Sequence, residues 1–247
     1  MKFNPNLMKY FFSIACFTLL TSHWISAQAP TDDESEVKGR KAWLVATTIP
    51  DDVPNPLKII ADDKLQEIRL LTRSVGAPFK VGETGVVRTV KEVIGADGEL
   101  AYENLSMTTV PEGIREALIV LVPRKKDAEG LRFNSKVIDL AEFELGGFLY
   151  VNLVNTKIGI ALDDHKAVVE PGGMKYINPL DGSRKKAVRT GFFYEVPANP
   201  KAEWELMTSF KMAVYDSRRE ICIFFYNERI ENVDFRGISF ITEQRLR

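Results

Sequence analysis

Beyond residue 27 this 247-residue chain carries one histidine, His165, and one cysteine, Cys222. That scarcity bounds its chemistry. A blue-copper centre needs two imidazoles beside its thiolate, and a His-rich zinc site needs three. Neither can be assembled from one histidine. A Ser-His-Asp triad would have to use His165, which sits in Leu162-Asp163-Asp164-His165-Lys166, a segment that reads as a hairpin tip. Cys222 lies within Ile221-Cys222-Ile223-Phe224-Phe225 and reads as a buried thiol in a core strand.

Oxygen ligands are more plentiful. Asp51-Asp52, Asp62-Asp63 and Asp163-Asp164 each fall in a predicted loop or turn. Calcium takes several carboxylates and carbonyls, and the Pro-rich stretch between the first two pairs makes Asp51, Asp52, Asp62 and Asp63 the calcium candidates. None has the D-x-D-x-D-G spacing of a dedicated calcium loop, and aspartate is also a common turn former. Glu142 and Glu144 flank Phe143 and on a strand would share one face, the minimum for glycosidic hydrolysis. Aromatic side chains suggest sugar stacking. Trp43, Trp204, Tyr194 and Tyr226, with Tyr176, are the candidate platform, against the competing expectation that such rings fill a core. In Phe192-Phe193-Tyr194 the first and third rings point one way and Phe193 the other, which leaves aromatic area for a second surface. Arg124-Lys125-Lys126 and Ser183-Arg184-Lys185-Lys186 read as solvated basic turns, too short for a nucleic-acid footprint. Gly76, Gly82 and Gly85 are spaced for turns and not for a phosphate cradle. No cofactor is expected.

The elements that must position these residues begin after an N-terminal leader. Lys2 and Lys9, the apolar run Tyr10–Leu20 and the small residues around Ala27 predict a signal peptide over 1–27, cleaved near Ala27. Cys16 in Ser13-Ile14-Ala15-Cys16 offers a lipoprotein alternative. Removal of two lysines takes the formal charge from −1 to −3, a balance with no global attraction for polyanions. Residues 28–39, rich in Asp and Glu, read as a flexible acidic tether. No later segment has the apolar length of a membrane-spanning helix.

From Lys41 onward the pattern is short strands with turn punctuation. Leu118–Val122 is a continuous apolar run suited to a strand covered on both faces. Phe148–Val154 is expected to pair with Lys157–Leu162 through Asn155-Thr156, and the best helix candidates are short, at Asp62–Glu67 and Lys201–Met207. An internal echo links Val110–Glu116 and the run after it to Val214–Glu220 and the run after it. The offset stays near 101–104 residues, although the first strands of the two halves do not align at it. The stretch Gly147–Leu153 through Val169–Gly173 resembles immunoglobulin-like sandwiches in general, which implies a fold and no activity.

The expected architecture is all-β and mostly antiparallel, with few short helices. It comprises two tandem immunoglobulin-like sandwiches, one over 40–146 and one over 147–247. The expected function is that of an exported, non-catalytic binding or assembly module at the cell surface or in the periplasm, with a protein or a glycan as partner. The alternative is a carbohydrate-active protein, either a sugar-binding module or a carboxylate-dependent hydrolase.

Overall fold

The computed structural model describes residues 39–125, 130–142, 144–196 and 204–240. The expected leader and all but the last residue of the expected tether lie outside these residues. The chain is all-β. The first half holds β1 (Lys41–Ala46), β2 (Leu57–Ala61), β3 (Lys64–Ile68), β4 (Phe79–Lys80), β5 (Val86–Ile94), β6 (Leu100–Thr109), β7 (Glu116–Pro123) and β8 (Phe133–Asp139). A 3₁₀ turn, Leu140–Glu142, follows. The second half holds β9 (Phe148–Asn152), β10 (Ile158–Leu162), β11 (His165–Val169), β12 (Met174–Ile177), β13 (Lys185–Glu195), β14 (Trp204–Tyr215), β15 (Arg219–Asn227) and β16 (Asn232–Phe240).

These strands form four sheets of four. In the first half the orders are β3-β2-β5-β6 and β4-β1-β7-β8; in the second they are β11-β10-β13-β14 and β12-β9-β15-β16. The second half repeats the first strand for strand, including the one parallel pairing in each, β1 with β7 and β9 with β15. A bulge recurs as well. Leu105 is the extra residue where β6 passes β5, and Met207 where β14 passes β13. Both extra side chains turn into their own half's core.

Apolar patterning decides which faces are covered. Leu57, Ile59 and Ala61 of β2 alternate with half-exposed neighbours and bury one face only. β1, β7, β9 and β15 bury both faces in nearly continuous runs, as strands in parallel pairs do. Three cores result. One fills the first half, with Leu44, Leu57, Ile59, Ile119 and Phe133. One fills the second, centred on Phe192, whose ring lies 5.1 Å from Phe224, 5.0 Å from Phe235 and 5.9 Å from Tyr150. The third joins the halves back to back. Trp43, Val45, Leu118, Val120, Ile138 and Leu140 of the first meet Leu149, Val151, Ile221, Ile223, Ile238 and Phe240 of the second. The two middle sheets are therefore interior, and the β3-β2-β5-β6 and β11-β10-β13-β14 sheets each turn one face outward.

Several expectations change. β9 does not pair with β10. The fully buried Asn152 gives its amide N–H groups to the Thr156 and Val169 carbonyls at 2.8 and 2.9 Å, and its side-chain oxygen accepts the Val154 amide. These bonds carry the chain across to the other sheet. Asp62–Glu67 is a hairpin: Asp62 and Asp63 both have positive φ (45° and 59°), as a type I′ turn requires. The described part of the second helix candidate, 204–207, opens β14. Glu142 ends the 3₁₀ turn, so Glu142 and Glu144 are not neighbours on one strand face. The echo is real in topology: the runs from Leu118 and from Ile221 align as read from sequence, and the segments before them, Val110–Glu116 and Val214–Glu220, are one residue out. Leu118 and Ile221, 103 positions apart, occupy equivalent rungs beside Trp43 and Leu149. The first strands fall outside that offset because the β1–β2 loop (47–56) is five residues longer than the β9–β10 loop (153–157).

Ile223 is fully buried in the shared core. Ile223→Ala should cost about 2–5 kcal/mol, measured by urea unfolding. Because both halves build that core, Trp43 fluorescence and far-UV circular dichroism should lose signal in one common transition. Two separate transitions would show the halves to be independent.

Candidate binding face

The outward face of the β11-β10-β13-β14 sheet follows from strand alternation. On β13 Val188, Thr190 and Phe192 are buried, so Arg189, Gly191, Phe193 and Glu195 point out. On β10 Ile158, Ile160 and Leu162 are buried, leaving Gly159 and Ala161 outward. Register then assembles cross-strand rungs. One runs Lys166–Ala161–Gly191–Ser209 and the next Val168–Gly159–Phe193–Leu206. Beyond it Glu195 lies opposite Trp204, and Lys157 and Glu170 flank them with an ammonium–carboxylate distance of 3.9 Å. Val168, Trp204 and Leu206 are 48%, 41% and 54% exposed.

Two glycines set the relief of this face. A Cβ on Gly159 would come within 3.1 Å of the Trp204 six-membered ring, and one on Gly191 within 3.2 Å of the Phe193 ring. The Trp204 indole therefore reaches across β13 and covers Gly159. Glycine inside a strand marks such close approach.

The first half shows what the same rungs look like without this device. In place of Val168–Gly159–Phe193–Leu206 it has Glu67–Lys58–Val90–Asn104. Lys58 forms an ion pair with Glu92, and Glu92 lies opposite Tyr102 as Glu195 lies opposite Trp204. Leu65, Met107 and Tyr102 are exposed on that face too, but Arg88 separates Ile60 from Met107 along their rung.

Of the four rings expected to form a platform, Trp204 is on this face. Trp43 is 7% exposed, set edge-on to Phe240 at 5.3 Å in the shared core. Tyr194 faces the opposite side of β13 and packs at the rim of the second core. Its hydroxyl bonds the Glu205 carboxylate, which with partial burial and that negative charge holds its proton above the ordinary tyrosine range. Tyr226 is exposed, but on β15 of the interior sheet.

The four aspartates expected to hold calcium do not converge. Among the described residues no three His, Cys, Asp or Glu side chains gather as a metal cluster. Asp52 faces Arg132 at 3.1 Å. Asp62 anchors the β2–β3 turn to the segment before β5, accepting the Thr84 hydroxyl at 2.8 Å and the Glu83 amide. Its carboxyl fills the space a Cβ on Gly82 would need. Asp51 and Asp63 are exposed turn residues, and Asp63 and Asp62 border a shallow cavity of about 300 Å³ with Arg88. His165 opens β11, its Nε2 3.7 Å from the Asp181 carboxylate that also pairs with Lys186 at 2.8 Å.

Of the residues on this face, sequence reasoning singled out Trp204 and the outward Phe193 and passed over Gly159, Gly191 and the cations Arg189 and Lys211. Isolated glycines inside otherwise apolar strands were the available signal. No protein-family profile matches this chain, and no curated protein matches it by sequence.

The bonds to Asp62, first from the Thr84 hydroxyl and then from the Glu83 amide, hold its carboxyl below the ordinary range. That contribution to stability is present above the unfolded carboxylate range near pH ~4 and is lost as pH falls through the folded value. Asp62→Asn should therefore lower the urea midpoint at neutral pH. The gap to wild type should narrow as pH is taken from about 5 to below about 3. A gap that stays constant across that range would contradict the assignment.

Proposed function

We propose that this chain is an exported, non-catalytic binding module that recognises an extended glycan along the outward face of the β11-β10-β13-β14 sheet. The observation that carries the reading is the Trp204 indole laid over Gly159 and left 41% exposed, where the equivalent position in the first half is filled by Lys58. A flat ring on a rigid sheet offers apolar area for the C–H face of a sugar. The neighbouring Glu170, Lys157 and Glu195 offer hydrogen-bonding groups for hydroxyls. The face is open and rigid, supported from beneath by the Phe192 cluster, so binding costs little ordering of the site.

Two further points support it. Sites on strands hold their side chains more closely than sites on loops. The exposed apolar side chains here are contiguous across three strands, where scattered ones need no explanation. Among the described residues no helix is long and apolar enough to cross a membrane.

A glycan array read with the purified chain, followed by titration calorimetry of the best binder, tests this. Trp204→Ala should weaken that binding at least about tenfold, or ~1.4 kcal/mol. Gly159→Lys, which puts the first half's residue under the indole, should weaken it comparably while leaving the urea midpoint near wild type. A glycan bound with unchanged affinity by both variants, or no glycan bound at all, would refute the reading.

A further inference from the structure

The same outward face carries a feature that stacking does not use. Arg189 and Lys211 lie directly opposite one another in register on β13 and β14, both exposed. Like charges opposite each other on one sheet face are destabilising. Lys166 is exposed on the adjoining rung. Further along, the Lys185 ammonium and the Arg218 guanidinium both lie against the Tyr215 ring, at 5.0 and 4.9 Å. Beside Arg189, the Asp163 carboxylate accepts the Arg189 backbone N–H at 2.9 Å. Lys186 pairs with Asp181, and among the described residues Arg189, Lys211 and Lys166 form no ion pair of their own.

In the first half the equivalent rung is Val86 opposite Thr109, with no charge at all. The cations thus belong to the half that carries the Trp204 strip. They stand on a chain whose net charge is negative. From the Arg189–Lys211 rung to the Phe193 rung, where the Trp204 indole covers Gly159, is four residues along β13, about 13 Å at the rise of an extended strand. A ligand that touches both must be a chain rather than a single sugar.

We propose that the ligand is an anionic polysaccharide, a carboxylate- or sulfate-bearing glycan whose acidic groups neutralise the Arg189–Lys211 rung while another ring further along the same chain stacks on Trp204. The inference rests on the glycan reading above and adds the charge class and the residues that read it. Guanidinium and ammonium groups form their stronger hydrogen bonds with ionised acceptors. Bringing an anion between Arg189 and Lys211 also removes the repulsion that the unliganded face bears.

The test uses polygalacturonate and dextran sulfate, each beside its uncharged counterpart, methyl-esterified polygalacturonate and dextran. At least one anionic polymer should bind at least tenfold more tightly than its counterpart, with affinity falling as salt rises. The double variant Arg189→Glu, Lys211→Glu should lose at least tenfold of that affinity. It keeps a like-charge pair at the same rung, so the fold still bears a cross-strand repulsion there. A control with the same change in net charge, Lys80→Glu with Lys125→Glu, both exposed elsewhere, should bind as wild type does.

An uncharged polymer bound equally well, and lost in Trp204→Ala, would overturn the anionic inference and leave the glycan reading standing. Equal losses in the double variant and the control would reduce the effect to bulk charge and overturn it. Vesicles of phosphatidylglycerol bound in preference to either polysaccharide would assign the face to a membrane surface instead. No binding to any of these probes would also overturn it.

Discussion

The third core, where the two halves meet back to back, governs the rest of the structure. Six large apolar side chains from each half close it: Trp43 and Leu118 with their neighbours on one side, Leu149, Ile223 and Phe240 with theirs on the other. Burial of side chains of this size is worth about 1.5–3 kcal/mol each relative to exposure. The contact therefore cannot open without losing much of what holds the fold. No disulfide assists it: Cys222 is a buried free thiol, and its burial raises its proton affinity well above the usual thiol range. Side-chain packing carries the stability.

Once that contact is made, the middle sheets have no free face, and only two sheet faces remain for anything else. They are topologically equivalent and differ in their side chains. The first half solvates part of its face with the Lys58–Glu92 ion pair. An exposed pair of this kind adds at most about 1 kcal/mol, so its effect is to keep the surface wet rather than to stabilise it. The second half lacks that cover at the matching rungs. It places glycine under Trp204 and sets two cations opposite one another. Loss of a solvating residue, an exposed indole and uncompensated charge are three departures from what a sheet needs for its own sake, and all three fall on one face.

Much of the fold was legible in the residues. Leu118–Val122 is apolar at every position, and the structure covers it on both sides. The repeat near 100 residues was visible in the charged turns and closing strands. What the sequence hid is long-range. Whether Phe148–Asn152 pairs with its sequence neighbour or crosses to the other sheet depends on one buried amide, Asn152, and its carbonyl partners seventeen residues and less away. Trp43 opens a strand-like run and Trp204 falls in a stretch that reads as a short helix, and neither reading says which ring is core. One is core and the other surface because only the first lies on a strand with two buried faces. The Asp62-Asp63 pair allowed a calcium-ligand reading beside the turn-former one, and its positive φ angles with the Thr84 and Glu83 bonds to Asp62 make it a turn anchor. Arg189 and Lys211 are twenty-two positions apart and meet only through register.

The most direct test of where a ligand sits is a heteronuclear NMR titration of the labelled chain with oligogalacturonate, following backbone amides and the Trp204 indole N–H. The largest shifts should lie on β10, β13 and β14, at Gly159, Arg189, Gly191, Phe193 and Lys211, and on the Trp204 indole itself, with Trp43 unchanged. Shifts centred instead on Asp62, Asp63 and Arg88 of the first half, or spread evenly over both outer sheets, would contradict a binding face on the second.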